Sequence, residues 1–172
     1  MGGSDMRIGF RAGQGVQIRF AESNSPTSRL VLTGPWPESL LAFQRVWPRL
    51  SRTAHLLAVD LPGFGHSERR TELLGDRFAR ATRYVRSYPE QLQRLGQILS
   101  TIFTPVQIIA GRWDPLVPLA NADYLHARLP NSRLDILDTG HFAWEEAPKQ
   151  YAAVVTAWVK GGYLTGSAGH QW

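Results

Sequence analysis

The chain contains no cysteine, and lysine supplies only two of its 19 basic residues. The absence of cysteine excludes a disulfide framework, a thiolate metal site and a cysteine nucleophile. No apolar run approaches the ~18 residues that a membrane span needs. Residues 1–11 lack the apolar core of a secretory signal. We therefore expect a cytoplasmic protein that makes no membrane contact.

The 172 residues carry a formal net charge of +5, and 43% of them are hydrophobic. This length suits one domain with an ordinary core, so we expect a single domain over residues 1–163 and a mobile tail over residues 164–172. Arginines are densest between Arg69 and Arg94. A phosphate-binding patch would use arginine in this way. The lack of interleaved aromatic residues instead favours a solvated helix face.

Local patterns in the first half of the chain predict a hairpin followed by a βαβ unit. Apolar and polar residues alternate over residues 6–10 and 16–20, on either side of a Gly-Gln-Gly turn. Continuous apolar runs at residues 30–32 and 54–59 are typical of strands that are buried on both faces. Between these two runs, apolar side chains over residues 40–50 fall at helical spacing behind a candidate serine N-cap.

The second half of the chain repeats the alternation of helix and strand. Apolar stripes predict helices over residues 92–102, 122–129 and 147–158, and buried runs predict strands at 106–111 and 134–137. Alternation of this kind indicates an α/β domain with a mostly parallel sheet of about six strands flanked by helices. Ligands of such sheets bind beyond the carboxyl ends of the strands.

Two loops at these strand ends carry an acid and a histidine. Asp114 follows the strand at 106–111, and His141 follows the strand at 134–137. A carboxylate beside an imidazole fixes the ring tautomer and lets the ring accept a proton from water or from a nucleophile. The layout therefore predicts an acid-oriented base at this rim. The five histidines show no metal-ligand spacing, so we expect neither a metal nor a cofactor.

Three runs at the strand ends, LAVDLPGFGHSER, PVQIIAGRWDPLVP and DTGHFAWEEAP, together resemble the α/β-hydrolase family. The subgroup that they resemble most holds epoxide hydrolases and haloalkane dehalogenases. The resemblance covers the chain from about Val16 to Tyr163. It implies that Asp114 is the acid and His141 the base of a catalytic triad. It also implies that the backbone N–H of Trp36 helps to form the oxyanion hole.

The chain departs from the family pattern where the nucleophile belongs. In the family, the nucleophile lies on a Gly-x-Ser-x-Gly elbow, with Asp replacing Ser in this subgroup, and no such pentapeptide is present. The elbow and the cap are missing between Ser67 and Leu92, so we expect an internal deletion with its junction near Leu74–Gly75. The strand at 30–32 should then become the neighbour of the strand at 106–110 within one six-stranded sheet.

The expected function is that of a shortened α/β-hydrolase that keeps the acid and the base but lacks the nucleophile, with weak hydrolysis or none. Its expected partner is a small apolar molecule. Aromatic side chains are candidates for lining the pocket of that molecule: Trp36, Trp113, Phe142 and Trp144. Ser67 beside His66 is an alternative nucleophile, although a turn-capping role explains both residues.

Two functions of other classes stay open. One is a non-catalytic domain that binds a partner or forms a homo-oligomer, because loss of the central block would expose apolar sheet edges and faces. The other is a nucleic-acid binder that depends on arginine, which the residue pattern around Arg69–Arg94 disfavours.

Overall fold

The computed structural model describes residues 6–13, 15–24, 28–35, 38–69, 86–87 and 91–162. The chain forms two compact units, Met1–Arg83 and Tyr84–Trp172. Three sequence-based expectations fall outside the described residues: the deletion junction at Leu74–Gly75, the tail at 164–172 and the role of Trp36. The expectation of one domain over residues 1–163 stays a prediction.

The first unit is built on a four-stranded sheet in the order β1-β2-β4-β3. Its strands are β1 (Arg7–Gly13), β2 (Val16–Glu22), β3 (Arg29–Thr33) and β4 (His55–Val59). β1 and β2 form the predicted hairpin, which turns at Gly15 with a φ of 73°. β2 is antiparallel to β4, whereas β3 runs parallel to β4. The βαβ unit that the sequence predicts is therefore present.

The helical segment between β3 and β4 is split into two pieces. It begins with a 3-10 turn at Leu40–Phe43, where the Ser39 hydroxyl oxygen accepts a hydrogen bond from the backbone N–H of Leu41. Helix α1 then spans Trp47–Leu50. Pro48 explains the break, because its nitrogen cannot donate to a carbonyl four residues earlier and fits only in a first helical turn. The predicted single helix over residues 40–50 is corrected accordingly.

The core of the first unit lies between this helical segment and the middle of the sheet. Its almost fully buried apolar side chains are Ala21, Leu40, Val46, Trp47, Leu50, Ala54, Leu56 and Ala58. The carboxylate of Asp60, one residue beyond β4, is buried with them. A buried carboxylate needs a counter-charge and hydrogen-bond donors, so the residues around the loop after β4 must supply them.

In the second unit, residues 86–87 and 91–98 are helical, the latter named α2 here, and a 3-10 turn follows at Leu99–Thr101. Its further elements are β5 (Val106–Gly111), α3 (Leu119–His126), β6 (Ser132–Leu137), α4 (Ala143–Glu146) and α5 (Pro148–Val159). β5 and β6 pair in parallel, with Gly111 opposite Leu137 at their carboxyl ends. The loops that follow the two strands therefore emerge side by side at one edge of this sheet.

The six strands that the sequence predicts are present, four in the sheet of the first unit and two in the sheet of the second. The expected pairing of β3 with β5, which would join the two sheets, stays a prediction. In the described part of the chain, β3 pairs only with β4, and β5 pairs only with β6. The apolar character of β3 and β5 indicates burial but does not identify a neighbouring strand, because pairing is decided by contacts between distant parts of the sequence.

Candidate active site

The loops that follow β5 and β6 bring an acid and a histidine into contact. Asp114 Oδ2 lies 2.8 Å from His141 Nδ1. A carboxylate only accepts hydrogen bonds, so Nδ1 carries the proton and donates it to Asp114. His141 Nε2 is therefore the ring nitrogen that is left to take up or release a proton. The two residues that the sequence singles out are adjacent, and their catalytic roles stay a prediction.

Backbone groups of its own loop hold the Asp114 carboxylate. Its Oδ1 accepts hydrogen bonds from the N–H groups of Leu116 at 2.8 Å and Val117 at 2.9 Å. Burial is the largest single influence and raises the pKa of Asp114. The hydrogen bonds from Val117, His141 and Leu116 together outweigh burial, so the pKa lies below its usual value of 3.8. The carboxylate is thus ionised at neutral pH and can stabilise an imidazolium ion.

Acid is expected to weaken the second unit through Asp114. A carboxyl group whose pKa is lower in the folded than in the unfolded state contributes stability above its unfolded pKa. That contribution is lost as the pH falls through the folded pKa. The stability advantage of the wild type over Asp114→Asn should therefore be constant well above pH 3.8 and shrink as the pH falls below that value.

Denaturant titrations of both proteins from neutral to strongly acidic pH measure this difference in the free energy of unfolding. Asp123→Asn makes the same change of charge at an exposed position on α3 and serves as the control. A stability difference between wild type and Asp114→Asn that does not depend on pH would contradict the assignment.

Glu146, on α4, holds the loop that carries His141. Its Oε2 accepts a hydrogen bond from the N–H of Gly140 at 2.7 Å, and its Oε1 accepts one from the N–H of Phe142 at 3.2 Å. A β-carbon at Gly140 would lie 3.0 Å from Glu146 Oε1, so glycine leaves room for the carboxylate. The residues on both sides of His141 are thus fixed by one side chain. Sequence reasoning missed Glu146, although its place four residues after Phe142 is a helical spacing that could have indicated it.

Gly111 lets the two loops approach each other closely. A β-carbon at this position would lie 2.0 Å from the carbonyl oxygen of Gly140 and 2.8 Å from that of Thr139. The adjoining backbone continues the contact, because the N–H of Trp113 donates to the carbonyl of Thr139 at 2.9 Å. The short distance between Asp114 and His141 depends on this approach.

A cavity of about 390 Å³ has both members of the pair in its wall. The rest of the wall comes from β5, the loop after it, α3 and the segment from α4 to α5, and it is mostly apolar. Representative apolar residues are Ile108, Leu125 and Trp144, and Tyr151 brings an aromatic ring with a hydroxyl group. A mostly apolar cavity with a few polar groups is the usual character of a small-molecule site.

A row of four rings begins at the histidine. The rings of His141 and Phe142 meet edge to face with centroids 5.0 Å apart, and Phe142 meets Trp144 in the same way at 5.9 Å. Trp144 then meets Tyr151 at 6.3 Å. Edge-to-face contacts at these distances are favourable and fix the planes of the rings. The orientation of His141 is therefore tied to the aromatic part of the cavity wall.

The aromatic candidates from the sequence differ in their positions. Trp144 lines the cavity. Phe142 is 38% exposed and lies between His141 and Trp144, outside the lining. Trp113 is 71% exposed and is also outside the lining, because the loop turns its side chain toward solvent. Trp113 and Phe142 do not line this cavity, and their place in a pocket wall stays a prediction, while Trp36 lies outside the described residues.

The loop after β4 is structural and does not present a nucleophile. Ser67 is buried, and its hydroxyl donates to the carbonyl of Asp60 at 2.8 Å while it accepts from the N–H of Arg19 at 2.8 Å. The hydroxyl therefore acts as both a hydrogen-bond donor and an acceptor within the first unit. In the loop after β3, the N–H of Gly34 donates to Val59, and Pro35 has no N–H to donate to an oxyanion.

Within the described ranges, no group of three or more His, Asp or Glu side chains is arranged to hold a metal ion. Among the described helices, none combines the length and the apolar character that crossing a membrane requires.

No protein-family model matches the chain. Among curated proteins, it is similar to the putative carbamate hydrolase RutD of Cronobacter sakazakii, with 44% identity over 57 residues. That match covers 33% of this chain and 21% of the relative. The pimeloyl-(acyl-carrier protein) methyl ester esterase of Aromatoleum aromaticum is 39% identical over 64 residues, or 37% of this chain and 26% of that protein. The chain thus matches only about a quarter of the length of these relatives.

Among solved structures, the chain is similar to a CIB-like hydrolase from Thermoplasma acidophilum, with a TM-score of 0.74 and 16% sequence identity. The alignment covers 91% of this chain and 98% of that structure. The chain therefore has an α/β-hydrolase-like fold.

Proposed function

We propose that this chain is a hydrolase of the α/β-hydrolase family in which Asp114 and His141 activate water directly, without a covalent intermediate. The 2.8 Å hydrogen bond between Asp114 Oδ2 and His141 Nδ1 is the observation that carries the proposal. The internal deletion inferred from the sequence belongs to the same proposal, because it removes the elbow on which the family places its nucleophile.

The proposed reaction is the hydrolysis of an ester bond. His141 Nε2 accepts a proton from water as the water oxygen attacks the carbonyl carbon, and the ionised Asp114 stabilises the imidazolium ion that forms. The tetrahedral intermediate then collapses and breaks the bond to the alcohol oxygen. The imidazolium returns its proton to that oxygen, so the products are a carboxylic acid and an alcohol. General-base assistance of this kind contributes about 10²–10⁴-fold, so slow turnover is expected.

Hydrolysis of an activated aryl ester and of an aryl epoxide, measured with purified protein, tests this proposal. His141→Ala should lose the full enhancement of about 10²–10⁴-fold over the uncatalysed rate. His66→Ala removes an exposed histidine of the first unit and controls for unspecific catalysis by imidazole groups. A His141→Ala variant as active as the wild type would refute the proposal.

A second candidate is a binding domain without turnover, which the largely apolar cavity beside the pair favours. The same assay separates the two functions, because a binding domain would take up uncharged ligands while the hydrolysis rate stays at background for both wild type and His141→Ala. The resemblance to epoxide hydrolases and dehalogenases makes the epoxide the informative second substrate in that comparison.

A further inference from the structure

The cavity beside Asp114 and His141 matches a small ligand in volume. Its volume of about 390 Å³ lies near the lower end of the range for small-molecule sites, about 300–1,000 Å³. Its described lining residues all belong to the second unit. A molecule with one ring and a short polar group fits this space.

The wall also limits the charge of the ligand. None of the described lining residues is a lysine or an arginine, and Asp114 is the one acid among them. An anion would therefore meet a carboxylate with no lysine or arginine in the described lining to offset it. A cation would compete for a carboxylate that already accepts hydrogen bonds from His141, Leu116 and Val117. Both conditions favour an uncharged ligand.

Two aromatic rings in the cavity wall favour a flat aromatic ligand. Trp144 and Tyr151 both line the cavity, with their planes 74° apart and their centroids separated by 6.3 Å. Phe142 packs against Trp144 from outside the lining and helps to hold that ring in place. A rigid aromatic ligand gains ring contacts here that a saturated ring of the same size does not gain.

The Tyr151 hydroxyl group is available to a ligand. Within the part of the chain that the structure describes, no hydrogen bond to this hydroxyl occurs. Burial raises the pKa of Tyr151, so the phenol keeps its proton at neutral pH and acts as a hydrogen-bond donor. A carbonyl or ester oxygen is the matching acceptor.

We infer that this cavity binds a compact, uncharged aromatic ester, with the ring of the ligand against Trp144 and Tyr151 and a ligand oxygen accepting a hydrogen bond from the Tyr151 hydroxyl. This inference rests on the proposed function and names its substrate class. Trp144 and Tyr151 are the residues that set the preference for aromatic over saturated ligands.

Acetophenone, an uncharged aryl ketone that cannot be hydrolysed, tests binding apart from chemistry. Titrations followed by NMR should give a dissociation constant about 2- to 10-fold lower for acetophenone than for cyclohexyl methyl ketone. Benzoate, an anion of similar size, should not bind. Tyr151→Phe removes only the hydroxyl and should weaken acetophenone binding about 2- to 10-fold. Tyr124→Phe makes the same change at an exposed tyrosine outside the cavity and should leave binding unchanged.

Equal affinity for the two ketones, binding of benzoate as tight as that of acetophenone, or no effect of Tyr151→Phe would each overturn the inference. The ketone comparison uses only the wild-type protein, so it stands even if a variant fails to fold. Selective ketone binding without ester hydrolysis would refute the proposed function and leave the cavity assignment intact. Ester hydrolysis without a preference for acetophenone over the saturated ketone would refute the cavity assignment and leave the proposed function intact.

Discussion

Replacing Asp60 with alanine is expected to lower the free energy of unfolding of the first unit by about 3–5 kcal/mol. The Asp60 side chain is fully buried and that of Arg19 is 10% exposed, with Arg19 Nη1 3.4 Å from Asp60 Oδ2. Without the carboxylate, the guanidinium stays buried and loses its counter-charge. The backbone N–H groups of Leu40 and His66, now 2.6 Å and 2.9 Å from the carboxylate oxygens, also lose their acceptor.

An exposed ion pair of the same residue types provides the comparison. Arg112 Nε lies 2.6 Å from Asp138 Oδ1, but the two side chains are 45% and 73% exposed. Asp138→Ala is therefore expected to cost at most about 1 kcal/mol. Denaturant titrations give both values, and hydrogen exchange of the β4 amides reports on the first unit. An Asp60→Ala loss as small as that of Asp138→Ala would show that solvent replaces the buried carboxylate.

Gly111→Ala is expected to separate Asp114 from His141 and to abolish hydrolysis. The new β-carbon would lie 2.0 Å from the carbonyl oxygen of Gly140, so the backbone next to His141 must move. Such a clash costs about 1–3 kcal/mol of stability. Displacement of the imidazole should also remove the whole contribution of general-base assistance, about 10²–10⁴-fold in rate.

The matched control for this prediction is Gly13→Ala in β1. A β-carbon at Gly13 would meet nothing within 4 Å, so the same substitution should change neither rate nor stability by a comparable amount. Ester hydrolysis and thermal unfolding of the two variants are the measurements. A Gly111→Ala variant with the wild-type rate would mean that the 2.8 Å contact is not needed for activity.

The acid–base pair could be predicted from sequence because its position follows from local rules. Asp114 lies three residues after β5 and His141 four residues after β6, and parallel strands end at a common edge. The close approach of the two loops at Gly111 could not be predicted in the same way, because it depends on how the loops meet and a glycine alone does not signal it. The helical spacing of Glu146 from Phe142 was a signal, but a weaker one than the strand ends.

Strand pairing is predictable to the same local extent. The hairpin of β1 and β2 was predictable because its strands are joined by a short glycine turn. The pairing of β3 with β5 stays a prediction, since a buried apolar strand can pair with any other of its kind. The loop containing Asp60 and Ser67 lies at a strand end like the loop of Asp114. Its polar side chains, however, form hydrogen bonds with buried backbone groups of the first unit.

In the described residues, the hydrogen bonds that hold His141 and its loop, and the close approach at Gly111, fall within residues 111–146, a short continuous stretch of one compact unit. A continuous stretch can be inherited, duplicated or recombined as one piece, because no distant segment has to travel with it. The pair is in that sense a self-contained stretch of sequence that would carry the proton-transfer half of the proposed chemistry.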